Sequence, residues 1–169
     1  DKKIKDLIIN GAECEPYLTS DYRLMLERTD DILRGTDIIR RVIEPDNVWI
    51  AIESNKMEAV DKMREIASNY PPAKVAVLQT KYPQGSEKQL IEAITGRQVP
   101  EGGLPFDAGA YVQNVGTAMA VYEAVRYSKP LYERVVTVTG SVRSPSNYLV
   151  PIGTPFEHLI EQAGGVIGE

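Results

Sequence analysis

Three short segments concentrate the residue types that bind small polar molecules. The first, Asn10-Gly11-Ala12-Glu13-Cys14-Glu15-Pro16-Tyr17, sets an amide, two carboxylates and a thiol just after an apolar run. Carboxylates accept hydrogen bonds from ribose hydroxyls or a carboxamide, and the Asn10 amide both donates and accepts. Glu13 and Glu15 are equally placed to cap a helix beginning near Ser20, and the local pattern leaves both uses open. Cys14 stands between two carboxylates, surroundings that oppose a thiolate, so no nucleophile is expected there. The second segment is Thr80-Lys81-Tyr82-Pro83-Gln84-Gly85-Ser86-Glu87-Lys88-Gln89. Gly85 permits a tight turn or close approach of backbone to a ligand. Ser86 and Gln89 have the spacing of a capping box, which would account for both structurally, whereas Glu87 is not required by a cap. The third, Gln113-Asn114-Val115-Gly116-Thr117, opens a helix. Free N–H groups and the helix dipole suit a phosphate there, with Asn114 and Thr117 as added donors. An ordinary N-cap is the simpler reading of the same residues.

These segments need a frame that brings loops together. Asp6–Ala12 is a short apolar run closing in Asn-Gly, the pattern of a buried strand and a turn. Ser20 to Ile43 has helical spacing and is expected to split at Gly35. Val48–Ile52 reads as a second buried strand and Lys74–Leu78 as a third strand. Between them lies a helix opened by an Asn55/Glu58 capping box and stopped by Tyr70-Pro71-Pro72. Alternating strands and helices predict a parallel α/β sheet. Helices are expected near Ser86–Thr95 and Asn114–Ser128, with a surface loop over Gly96–Val112. In such sheets ligands bind beyond the carboxyl ends of the strands, where the first two segments fall. After Ser128-Lys129-Pro130 the pattern changes: strands at Arg134–Gly140 and Tyr148–Ile152, then a helix from Thr154 to Ala163, the first half of a β-grasp-like unit.

Composition excludes other chemistries. The 169 residues carry 19 Lys+Arg against 24 Asp+Glu, a net charge of -5, which argues against a nucleic-acid partner. A single cysteine and a single histidine rule out an intramolecular disulfide, a Cys/His zinc site and a fully ligated iron–sulfur cluster within this chain. His158 sits on an amphipathic segment and reads as structural rather than as a base. Neither a Walker A nor a Gly-x-Gly-x-x-Gly sequence occurs, and no run of about 18 apolar residues that would span a membrane. The start at Asp1 and the end at Glu169 read as the ends of a fragment.

Taken together, Ile9-Asn10-Gly-Ala-Glu13-Cys14-Glu15-Pro16-Tyr17 through Glu27 resembles the signature of RnfC, the soluble redox subunit of the Rnf electron-transport complex. RnfC is related to the NADH-oxidising flavin subunit of respiratory complex I. Tyr82-Pro-Gln-Gly85-Ser86-Glu87 resembles that family's Gly-Glu-Glu segment, and Gln113-Asn114-Val-Gly-Thr117 its Asn-Asn-Val-Glu-Thr segment. Val136–Val142, Tyr148, Gly153-Thr154 and Ala163-Gly-Gly165 look like the start of an SLBB β-grasp domain.

The resemblance implies an α/β, Rossmann-like three-layer domain over residues 1–130 that binds FMN and receives NADH, followed by part of an SLBB domain over 131–169. It assigns Asn10, Glu13 and Glu15 to the flavin and nicotinamide end, Gly85, Ser86 and Glu87 to flavin or NADH, and Asn114 and Thr117 to the FMN phosphate. Phe106 would contact the dinucleotide. Ala12 and Ser86 replace acidic residues of the complex I loops. The family's Gly-rich flavin loop would precede Asp1, and its [4Fe–4S] domain would follow Glu169, so the chain is expected to hold FMN weakly or not at all. The implied setting is a ferredoxin:NAD oxidoreductase, peripheral on the cytoplasmic face of the membrane, with the other Rnf membrane subunits as partners and ferredoxin as an indirect one. The alternative is a non-catalytic scaffold that docks a partner through its SLBB-like segment.

Overall fold

The computed structural model describes residues 3–70 and 73–168. Strands β1 (Asp6–Gly11), β2 (Asn47–Glu53), β3 (Ala73–Leu78) and β4 (Ala110–Asn114) form one parallel sheet in the order β3-β2-β1-β4. Asp6 pairs with Asn47 and Ala110 at the amino end, and Gly11 pairs with Ile52 at the carboxyl end. Leu7, Ile8 and Ile9 are all fully buried, because central β1 is covered on both faces and carries no polar alternation.

Helices α1 (Ser20–Glu27), α2 (Thr29–Ile43), α3 (Met57–Ala67) and α5 (Val115–Tyr127) contribute to the core on one face, where Leu7 and Ile9 meet Met25, Ile32, Leu33, Val60, Met63 and Val115. On the other face Ile8, Ala51 and Val112 pack with Leu90 and Ile91 of α4 (Glu87–Thr95). The expected three-layer α/β architecture is present.

Several local expectations are corrected. The segment from Ser20 to Ile43 breaks at Arg28, not Gly35: Arg28 (φ -127°, ψ 31°) ends α1 and begins α2. Gly35 lies inside α2, where a Cβ would stand 1.7 Å from the Ala118 carbonyl oxygen, so its role is backbone-to-backbone packing of α2 on α5. Asn55 and Glu58 form no capping box: Lys56 is the N-cap, the Asn55 N–H donates to the Thr80 hydroxyl, and Glu58 accepts from the Tyr22 hydroxyl. Ser86 is the N-cap of α4, but no side-chain cap bond forms, so the Ser86/Gln89 box is also absent. The expected loop over Gly96–Val112 contains a short 3-10 turn (Pro105–Ala108) and then β4, an edge strand beside β1 with Ala110 and Val112 turned inward. Pro71 and Pro72, expected to stop α3, lie outside the described residues, as do Asp1 and Glu169; α3 itself ends at Ala67.

Beyond α5 come an antiparallel hairpin, β5 (Glu133–Val138) with β6 (Ser146–Pro151), and α6 (Phe156–Gln162), which carries His158 on its exposed side. Three side-chain contacts tie the hairpin to the α/β unit. The Thr19 N–H donates to the Thr137 hydroxyl (3.2 Å), the Asn147 amide donates to the Thr19 hydroxyl (2.9 Å), and Arg134 donates to the Thr117 hydroxyl (2.9 Å). Buried Glu123 of α5 adds an ion-pair node, bonded to Arg28 (2.7 Å) and to Lys129 (2.8 Å). Among the described residues no helix is long and apolar enough to cross a membrane.

Candidate functional site

At the carboxyl end of the sheet, the loop after β1 and the loop between β3 and α4 meet. Asn10 joins them: its Oδ1 accepts from the Ala12 N–H (3.0 Å), and its Nδ2 donates to the Gly85 carbonyl (2.9 Å). The contact requires glycine, since a Cβ at Gly85 would lie 2.2 Å from the Ala12 carbonyl oxygen and 3.2 Å from the Cys14 sulfur. Beside this junction opens a cleft of about 440 Å³, with Glu13, Glu15, Asp21, Tyr82, Gly85 and Ser86 in its walls. The first two sequence segments are therefore brought to one place. Glu87 follows directly, exposed at the start of α4.

The two glutamates of the first loop differ. Glu13 uses its carboxylate on α1: Oε1 accepts from the Ser20 hydroxyl (3.1 Å) and the Asp21 N–H (3.0 Å), and Oε2 from the Tyr22 N–H (3.4 Å). A negative group bonded to the first N–H groups of a helix is the capping alternative, realised by a residue several positions before the helix. Glu15 is exposed in the cleft wall and, among the described residues, bonds no helix terminus.

The third segment lies one contact away. Asn114 is the N-cap of α5: Oδ1 accepts from the Gly116 N–H (2.7 Å), and its amide donates to Asp21 (2.7 Å). Burial pushes the Asp21 carboxyl above the ordinary range against that hydrogen bond; the Glu13 charge adds to the rise and Arg134 opposes it. Thr117, one turn into α5, accepts from Arg134. Asn114 and Thr117 thus stand behind the cleft, joined to it through Asp21, and are not in its walls.

Phe106 is elsewhere. Its 3-10 turn precedes β4 and so sits at the amino end of the sheet, in a separate groove of about 650 Å³ shared with Lys3, Lys5 and Arg97. Along a six-residue strand this is about 17 Å from the carboxyl-end cleft.

One residue here had no motif to announce it. Glu53 ends β2 with 1% of its surface exposed. Its Oε1 accepts from the Lys81 N–H (3.3 Å), and among the described residues its buried Oε2 has no partner. Burial pushes its carboxyl up; the Lys81 N–H and Lys56 oppose this and Glu13 adds to it. The only signal was an acid closing an otherwise apolar strand, Val48–Ile52.

The cleft's chemistry accepts rather than donates. Carboxylates at Glu13, Glu15 and Asp21 suit hydroxyl and amide N–H groups, and no Lys or Arg is among its described wall residues. Gly85 and Ala12 pack backbone against backbone with no room for a Cβ between them, which closes the two loops together at one side of the cleft. A polyhydroxylated heteroaromatic ligand fits these donors and acceptors; its phosphate would need the α5 terminus or Arg134.

A family model, the Nuo51 FMN-binding domain, matches residues 1–123. The chain belongs to the Nuo51 FMN-binding domain family. An SLBB domain model matches residues 135–169. Within the Nuo51 family the relatives are RnfC-type subunits, in agreement with the resemblance carried by the Asn10–Tyr17 loop. The one from a proton-translocating ferredoxin:NAD(+) oxidoreductase complex of Clostridium ljungdahlii is 49% identical over 98% of this chain and 36% of its own length. Its counterpart from an ion-translocating oxidoreductase complex of Pasteurella multocida is 48% identical over 96% of this chain and 20% of its own. That from a Na(+)-translocating ferredoxin:NAD(+) oxidoreductase complex of Acetobacterium woodii is 43% identical over 100% of this chain and 38% of its own. The chain therefore spans well under half the length of these relatives. A crystal structure of an NAD+-reducing [NiFe]-hydrogenase superposes with a TM-score of 0.77 at 22% identity, covering 99% of this chain and 34% of that one, which establishes the shared fold.

Proposed function

We propose that this chain is the FMN- and NAD(H)-binding part of an Rnf-type ferredoxin:NAD oxidoreductase, acting at the carboxyl-end cleft. The observation that carries the reading is the Asn10–Gly85 junction, which joins the two family loops with no side chain between them. Membership in the Nuo51 FMN-binding domain family supports the choice of ligand. Bound flavin supplies hydride acceptance and one-electron chemistry. The chain's residues bind and orient: Glu15 accepts from hydroxyl or amide groups, Asn10 and Gly85 hold the two loops together beside the cleft, and Ser86 and Glu87 offer a hydroxyl and a carboxylate at its rim. Asn114 and Thr117, with Arg134 from the hairpin, hold the FMN phosphate at the start of α5. Phe106, at the far end of the sheet, meets the distal part of the dinucleotide. Other regions of the longer protein supply the iron–sulfur clusters, and the other Rnf subunits hold it at the cytoplasmic face of the membrane, passing electrons to and from ferredoxin.

The test is Glu15→Gln in the full-length protein. NADH oxidation should fall about tenfold or more, the effect of losing a charge-assisted hydrogen bond, with the circular dichroism spectrum unchanged. Unchanged turnover would favour the second reading, a partner-docking scaffold. That reading draws on the exposed Leu149, Ile152 and Phe156 of the SLBB part.

A further inference from the structure

Glu15 rides on a loop with little packing of its own. Glu15, Pro16 and Tyr17 are all exposed, so where the loop lies is decided at its two ends. One end is the Asn10–Gly85 junction. The other is Thr19, the N-cap residue of α1. Threonine in that position ordinarily bonds the first N–H groups of its own helix, but the Thr19 side chain makes no such bond. Glu13 serves the Asp21 and Tyr22 N–H groups instead. Each polar group of Thr19 meets the hairpin. Its N–H donates to the Thr137 hydroxyl (3.2 Å), its hydroxyl accepts from the Asn147 amide (2.9 Å), and its carbonyl accepts from the same amide (3.4 Å). The Thr137 hydroxyl donates in turn to Asn147 Oδ1 (2.7 Å), its partner across the paired strands, so the two hairpin side chains brace each other.

We propose that Asn147 is a positioning residue of the carboxyl-end cleft, acting through Thr19 to fix the wall that carries Glu15 and Asp21. This rests on the reading of the cleft as a flavin site, and it makes the hairpin part of that site rather than its neighbour. Leu18, Ser20 and Asp21, on either side of Thr19, all stand in the cleft walls. The fully buried residues of α1, Met25 and Leu26, lie in its second half, so its first turn depends on the bonds at its start. Glu13 ties the loop to that turn but belongs to the loop itself; Asn147 and Thr137 hold it from outside. A second tie runs the same way: Asp21 accepts from Asn114 of α5, and Arg134 of β5 donates to Thr117. The opening turns of α1 and α5 are thus both referred to one hairpin. Groups that meet a ligand must keep their places to within about 0.5 Å, and bonds behind them do the holding.

The experiment uses the full-length protein, stripped of flavin and titrated with FMN, with binding followed by fluorescence quenching. Asn147→Leu keeps the bulk and removes the bonds to Thr19; it should bind FMN about tenfold more weakly, the effect of one lost hydrogen bond. Thr19→Val should weaken binding alike, and Thr19→Ser, which keeps the hydroxyl, should bind as wild type does. Asn147→Leu combined with Thr19→Val should be no worse than either alone, because both cut one link. Thr154→Val is the control: it removes a bond within the SLBB part, from the Thr154 hydroxyl to the Pro151 carbonyl (2.7 Å), and should leave FMN affinity unchanged. If Asn147→Leu binds FMN as tightly as wild type, or Thr154→Val weakens binding as much, the Thr19 bonds only dock the hairpin; the inference then falls while the flavin reading stands. Should Asn147→Leu misfold, the contrast of Thr19→Val with Thr19→Ser decides. If FMN does not bind wild type at all, the flavin reading falls and takes the inference with it.

Discussion

Two buried carboxyl groups sit at opposite ends of one sheet and are treated in opposite ways. Asp6 opens β1 at 4% exposure; Arg97 pairs with one of its oxygens and the Trp49 indole N–H donates to the other (2.9 Å). Burial alone would raise its pKa, but the Arg97 and Trp49 bonds hold it below the usual carboxylate value. Glu53 closes β2 at 1% exposure with one backbone bond, an oxygen unpaired among the described residues and a carboxyl pushed up by burial. The difference lies in the partners, since both are buried acids on paired central strands. A carboxylate whose hydrogen-bonding capacity is met holds the amino end of the sheet together; one left half-met leans toward its neutral form.

The amino end should break hardest. Arg97→Met leaves the Asp6 carboxylate buried with no cation, and should lower the unfolding free energy in urea by about 3 kcal/mol. A loss below about 1 kcal/mol would place the pair with ordinary surface bridges and blur the contrast. At the carboxyl end, Gly85→Ala drives a Cβ to 2.2 Å from the Ala12 carbonyl oxygen and should part the two loops, at about 2 kcal/mol in stability. The same variant should lose FMN affinity, and wild-type binding by it would mean that the Gly85 contact is not what shapes the cleft.

The smallest effect is the most diagnostic, because the two acids should tilt the pH profile of stability in opposite directions. The folded pKa of Asp6 is lowered from 3.8, so its contribution is present above that value and is lost as pH falls through the folded one. The folded pKa of Glu53 is raised from 4.5, so its contribution is full below that value and is lost as pH rises through the folded one. Urea unfolding over a pH series should therefore show the stability gap between wild type and Asp6→Asn widening from acid to neutral. Measured against Glu53→Gln, wild type should instead lose ground over that range. Parallel slopes would erase the distinction.

What the sequence disclosed follows the range of the signals. The runs Asp6–Ala12 and Val48–Ile52 announced strands because a strand covered on both faces has no room for polar alternation, and Lys74–Leu78 announced a third that lies at the sheet edge with Lys74 and Val77 exposed. β4 stayed hidden: five residues, Ala110–Asn114, emerge from a Gly- and Pro-rich stretch, and only pairing with β1 makes them a strand. Gly35 read as a break because glycine weakens isolated helices, but its reason is Ala118, far along the chain and invisible to local spacing. In the site, Asn10, Glu13, Glu15 and Gly85 could be picked out by type, though not that Glu13 would bond the first turn of α1. The orphaned oxygen of Glu53 is a property of what surrounds it, which no pattern along one strand encodes.

The contact of Gly35 with Ala118 has a bearing on how this protein can vary. Where side chains separate two helices, substitutions can slide one against the other by an ångström or so and be absorbed. Here the spacing is set by main chain against main chain, so α5 has a hard stop. Asn114 and Thr117, in the opening turns of α5, inherit that stop and keep their places whatever is drawn from the surface of either helix. Variation is therefore steered away from this helix pair and toward the loops that wall the cleft.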